Sequence, residues 1–188
     1  MKIVAIIGSA FGNKSRVAVN YTINKIKEVR TDAEVEIIDF SEIHFPFADG
    51  RDYLQQEGEV GKALKKIMEA DGLIIGTPIF QASMPGTLKN LFDMLPVNAF
   101  RNKVAGMIVT AGSEKHFLIP EQQIRPVLSY MKANLVPNYV FITDQDIIRQ
   151  EIKNPDIEFR LDRFVDDFFL LLDTYQTMIQ QKEAEYDF

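Results

Sequence analysis

Five short strand-like runs alternate with stretches of helical periodicity, and that alternation restricts the chain to few architectures. Residues 2–7 (Lys2-Ile3-Val4-Ala5-Ile6-Ile7), 34–38, 72–76, 103–110 and 138–142 read as strands. Residues 15–29, 59–70, 85–95, 118–133 and 154 to about 181 read as helices. The first helix carries Val17, Val19, Tyr21, Ile23, Ile26 and Val29, and the second carries Val60, Leu64, Ile67 and Met68, close to helical spacing. Pro126 falls inside the fourth, where proline kinks a helix or marks its start. Asn154-Pro155 is an N-cap followed by proline at the first helical position. Strands read as apolar on both faces, alternating with helices, call for a parallel sheet covered on both sides and joined by right-handed crossovers. The expected fold class is α/β, a single doubly wound domain over residues 1–188.

Composition narrows the function. A hydrophobic content of 46% excludes a disordered chain, and a formal charge of -6 argues against nucleic acid or an anionic membrane as partner. Without cysteine there is no disulfide or thiolate chemistry, and His44 and His116 are too far apart in sequence for a zinc motif. The apolar runs are too short to span a bilayer. Met1-Lys2 leads at once into a run that ends in Gly8-Ser9, which reads as a strand rather than a signal peptide, so the expected location is cytoplasmic.

In a doubly wound sheet all strand-to-helix loops lie at one edge. Three are rich in small polar residues. Gly8 to Arg16 places Ser9, Ser15, Lys14 and Arg16 beside a helix N-terminus, where backbone N–H groups and the helix dipole attract an anion. Taken alone, this loop reads equally well as a plain turn with Ser15 as N-cap. Its glycines have neither dinucleotide nor Walker spacing. The second loop, Thr77 to Pro85, is longer than a turn needs and holds Phe80 at its centre. Phe80 is there either to lie against a flat ring or to fill the core. The third, Thr110-Ala111-Gly112-Ser113 with His116, offers bare backbone at Gly112. For His116, a loop histidine with one hydrogen bond is the commoner outcome than a general acid. Together the loops offer a phosphate site and two ring-edge sites along one crevice, which suits a mononucleotide with a flat polar ring.

Gly8-Ser9 with Ser15, Thr77-Pro78-Ile79-Phe80 with Pro85-Gly86-Thr87-Leu88-Lys89-Asn90-Leu91-Phe92-Asp93, and Thr110-Ala111-Gly112-Ser113 with His116 resemble the NADPH-dependent FMN reductase family. Residues 116–132, with Arg125-Pro126-Val127-Leu128, are most similar to the branch that supplies reduced flavin to sulfonate-metabolising monooxygenases. The resemblance implies a flavodoxin-like three-layer sandwich with a five-stranded parallel sheet in the order 2-1-3-4-5, and a homodimer or homotetramer. It implies FMN across the three loops, with NADPH as the partner nucleotide. Ser9, Ser15 and Arg16 would hold the phosphate, with Asn13 beside them. Pro78, Ile79, Phe80, Gln81 and Ser83 would contact the isoalloxazine and ribityl, and Gly112, Ser113 and His116 its pyrimidine edge. Phe11 stands where many family members carry arginine, which leaves Lys14 or Arg16 to supply charge. Gln122 and Gln123 stand where the sulfonate branch often shows tyrosine, and Phe80 and Gln81 where tyrosine and asparagine are frequent.

Hydride transfer to flavin needs little from protein side chains, in keeping with the lack of an acid–base pair. The expected role of residues 112–113 and the following helix is to stabilise negative charge on reduced flavin. Released flavin would serve a flavin-dependent monooxygenase; bound flavin would serve a quinone, azo compound or metal ion. A flavodoxin-type electron carrier and a domain that has lost its cofactor are the other readings. The chain lacks the usual Thr/Ser-x-Thr-Gly-Asn-Thr loop of such carriers, and it lacks tryptophan. On the last helix, Leu161, Phe164, Val165, Phe168, Leu171, Leu172, Tyr175 and Met178 form one stripe. Phe169 and Leu170 broaden it, as a subunit interface would.

Overall fold

The computed structural model describes residues 1–185. Its centre is a parallel sheet of β1 (Lys2–Ile7), β2 (Glu34–Asp39), β3 (Gly72–Pro78), β4 (Val104–Ala111), β5 (Asn134–Leu135) and β6 (Val140–Thr143). The order runs β2-β1-β3-β4, and both β5 and β6 pair with β4. The last two are halves of one fifth strand, so the flavodoxin-like order 2-1-3-4-5 holds. The chain between the halves leaves the ladder at Pro137, which has no N–H to give, and Arg125 Nη2 donates to the Pro137 carbonyl at 2.9 Å.

Alternate residues of the strands face two helical layers. Val4, Ile6, Leu73, Ile75, Met107 and Val109 pack under α2 (Gly58–Glu69), α3 (Gly86–Asp93) and α4 (Arg125–Tyr130). Ile3, Ala5, Ile7, Ile74 and Ile108 pack under α1 (Lys14–Val29) and α5 (Pro155–Ala184). Contact is close enough to require glycine: a Cβ on Gly76 would lie 2.1 Å from Val19, and one on Gly106 2.4 Å from the Phe164 ring. β1, β3 and β4 are buried almost throughout. β2 departs from the expectation of strands buried on both faces. It is the edge strand, with Ile37 exposed on one face and Glu36 standing on the other, where Glu36 pairs with Lys66 of α2.

Pro126 falls where one π-helical turn, Pro120–Ile124, runs directly into α4, at the second residue of α4; the Arg125 N–H before it still bonds back to the Pro120 carbonyl. The side chain of Asn154 caps α5 by accepting from the Asp156 N–H at 3.1 Å. Leu161, Phe164, Val165, Phe168 and Leu172 bury into the core. Phe169 is buried as well, beneath the Arg30 guanidinium at 4.2 Å, whereas Leu170, Met178 and Phe159 are exposed. The broad stripe is therefore one core face plus separate exposed apolar positions. A hairpin of β7 (Ile147–Ile148) and β8 (Glu151–Ile152) leads into α5. Among the described residues no helix is long and apolar enough to cross a membrane.

Candidate functional site

At the carboxyl edge of the sheet the three loops enclose a crevice of about 310 Å³. Phe11 to Ser15 form one wall, Pro78, Ile79 and Phe80 a second, and Thr110, Ala111 and Gly112 the floor. Asp144, beyond β6, closes the remaining side.

The first loop turns on Ser9, whose buried hydroxyl donates to the Phe11 carbonyl at 2.5 Å. Helix α1 starts at Lys14 with Asn13 as N-cap, and Asn13 makes no side-chain capping bond. Ser15 is thus the second helical residue and not the cap. Its hydroxyl shares a buried 2.8 Å hydrogen bond with Thr110 Oγ1 and ties the first loop to the third. Arg16 is also committed elsewhere. Its Nε and Nη2 grip both oxygens of Asp39 at 2.7 and 2.8 Å, and Nη2 also donates to Ser41 at 2.7 Å. The hydrogen bond to Asp39 raises the Arg16 pKa. Burial pushes the Asp39 carboxyl up, but hydrogen bonds from Arg16 and Ser41 outweigh it and hold it below the usual carboxylate value.

The second loop closes as a two-residue turn. Phe80 and Ser83 exchange both backbone hydrogen bonds at 3.0 Å, and Gln81 and Ala82 adopt φ of 47° and 57°. Such a turn favours glycine or asparagine at both central positions. A left-handed side-chain residue costs about 1–2 kcal/mol, and strain of this kind gathers at functional sites. The turn presents Phe80 to the crevice, where the exposed Phe11 ring stacks on it at 4.8 Å between centroids and 9° between planes. Gln81 points out at the tip, and Ser83 Oγ reaches Gln123 at 3.4 Å.

In the third loop a Cβ on Gly112 would approach only Asp144 Oδ2, at 3.6 Å, so its backbone is open to the crevice. Ser113 accepts from the Lys115 N–H and starts a single 3₁₀ turn, Glu114–His116. His116 Nδ1 is buried and has no hydrogen-bond partner.

Of the residues singled out in the sequence, Asn13, Ser15, Pro78, Ile79, Phe80 and Gly112 line the crevice. Ser9, Arg16, Gln81, Ser83, Ser113 and His116 lie outside its wall. Two contributions escaped the reading: the Phe11 ring and Asp144. Among the described residues the crevice wall carries one cation and one anion, Lys14 and Asp144. They pair at 2.7 Å, and Lys14 Nζ also donates to the Asp144 carbonyl at 3.0 Å. Cavities of about 420 Å³ between α3 and α4 and about 450 Å³ beside Phe40 to Phe47 are larger, but the third loop reaches neither.

Residues 1–147 match the model of a family described as NADPH-dependent FMN reductase. An NAD(P)H-dependent FAD/FMN reductase of Geobacillus thermodenitrificans is 32% identical over 162 residues, covering 86% of this chain and 88% of that protein. The NADH-dependent FMN reductase SfnF of Pseudomonas fluorescens is 27% identical over 161 residues, covering 86% of each. The apo crystal structure of an NADH:FMN oxidoreductase superposes with a TM-score of 0.74 at 28% identity, over 90% of this chain and 88% of that one. With sheet order, three-loop crevice and family match in agreement, the chain belongs to the NADPH-dependent FMN reductase family.

Proposed function

We propose that the crevice holds FMN and that the protein, as one domain, uses NADPH or NADH to reduce it. The observation that carries this reading is the set of groups lining one crevice: the Lys14 cation and the N–H groups of a helix N-terminus, the flat apolar wall of Ile79 and Phe80, and open peptide backbone at Gly112. That set suits a phosphate, a ring system and a polar ring edge. When bound, FMN supplies the redox chemistry, accepting hydride from a nicotinamide.

The chain's own residues bind, orient and shield. Lys14 and the first turn of α1 hold the phosphate, with Asn13 and the Ser15–Thr110 link fixing that turn against β4. Arg16 supports the same turn from behind, locked on Asp39. Pro78, Ile79 and Phe80 give the ring its wall. Ser9, Gln81 and Ser83 shape the loops that carry Phe11 and Phe80. Backbone N–H groups at Gly112 and Ser113 stabilise charge at the ring edge, with His116 in the turn that follows. The exposed Phe159, Leu170 and Met178 of α5 meet a second copy, so the protein runs above its monomer mass. Reduced flavin passes to a flavin-dependent monooxygenase.

The test uses one preparation: FMN affinity by equilibrium titration, then NADPH and NADH oxidation with free FMN, with a quinone and with no acceptor. Turnover with free FMN is expected. Tight FMN binding with turnover only on the quinone would replace the flavin-shuttling reading with a bound-flavin oxidoreductase. Flavin binding without nicotinamide oxidation would leave an electron carrier.

A further inference from the structure

Two cations stand at the head of α1, and the acids that hold them differ. Arg16 is gripped through two nitrogens by Asp39, whose side chain is 7% exposed. Lys14 is held by the Asp144 carboxylate, whose side chain is 59% exposed. A buried charge left by its partner is costly, so the Arg16 pair stays closed. An exposed ion pair contributes little and opens readily. Lys14 is therefore the cation that an incoming phosphate can claim.

The surroundings of Asp144 favour an exchange rather than a collapse. Asp146 accepts from the Thr143 N–H, the Thr143 hydroxyl and Asn154 Nδ2, each at 2.7 Å, and this pins the backbone on both sides of Asp144. Lys14 Nζ thus keeps its bond to the Asp144 carbonyl at 3.0 Å while the carboxylate rotates away. The carboxylate also leans over the third loop, where its Oδ2 lies 3.6 Å from the Cβ position of Gly112. It occupies ground between the phosphate end and the ring-edge end of the crevice, and it has the same sign of charge as a phosphate.

Resting on the flavin reading of the crevice, we infer that Asp144 is an internal competitor for the FMN phosphate: its carboxylate occupies Lys14 in the free protein and must be displaced on binding. This sets the preference for FMN over riboflavin and keeps FMN exchangeable, as suits a flavin handed on after reduction. Asp144 is a specificity-determining residue that acts through Lys14.

The test is equilibrium titration of FMN and of riboflavin into the wild type, Asp144→Asn and Lys14→Gln, with thermal stability as a folding control. The asparagine keeps shape and carbonyl and removes the charge. In Asp144→Asn, FMN should bind about two- to fivefold more tightly, the worth of an exposed ion pair, with riboflavin unchanged. Lys14→Gln should weaken FMN by at least as much and leave riboflavin unchanged. Inorganic phosphate alone should bind Asp144→Asn more tightly than the wild type, by a similar factor. An unchanged ratio of the two flavins in Asp144→Asn overturns the inference, and parallel weakening of both makes Asp144 a ring contact instead. A wild type that binds neither flavin removes the flavin reading itself, and this inference with it.

Discussion

The two ends of the sheet are built from the same strands and finished in opposite ways. At the amino end, Lys103 is buried, and its ammonium donates to the carbonyls of Met68 and Ala70 at 2.7 and 2.6 Å, closing the C-terminus of α2. Burial lowers the Lys103 pKa, and nearby Asp71 offsets part of that. Asp71 exchanges hydrogen bonds with the Lys2 backbone, and its carbonyl accepts from Val104. At the carboxyl end, Phe11 is 68% exposed, Gln81 and Ala82 are left-handed, His116 Nδ1 has no partner, and Lys14 rests on an exposed acid. One end spends its polar groups on closure. The other keeps groups whose present partners can be exchanged, and binding elements come from such regions of low local stability.

The largest expected effect lies at the closed end. Lys103→Ala leaves two carbonyls without their donor and should cost about 2 kcal/mol, or roughly 4–8 °C in melting temperature. Flavin affinity per folded molecule should not change. A loss of affinity without a loss of stability would mean that the two ends are not independent. A smaller effect of opposite sign is expected at the open end. Ala82→Gly removes a left-handed side-chain residue from the Phe80–Ser83 turn and should stabilise the protein by about 1 kcal/mol. The denaturation midpoint measures it, and no gain would show that the turn stores no strain.

The same contrast explains what the sequence discloses. β1, β3 and β4 are uninterrupted apolar runs because both of their faces are buried, and such runs are legible without context. β2 misleads because an edge strand needs only one covered face. The fifth strand hides its first half because Asn134–Leu135 is too short to show a period, and the two-residue strands β7 and β8 fail for the same reason. The three loops are legible from glycine, proline and hydroxyl residues at strand ends. What each side chain does there is not. Arg16 reads as a phosphate ligand until Asp39, 23 residues on, is seen to hold it. Asp144 lies 130 residues from Lys14, and no local pattern connects them. Phe11 reads as a missing arginine, whereas its ring is a partner for Phe80.

The proposed flavin site joins all three loops and stands apart from the closed end of the sheet. Amide hydrogen exchange with and without FMN tests it most directly. Slower exchange is predicted in residues 10–15, 78–83 and 110–113 together, with residues 68–71 and 103–105 unchanged. Protection confined to the cavity between α3 and α4, or absent from any one of the three loops, would contradict the account.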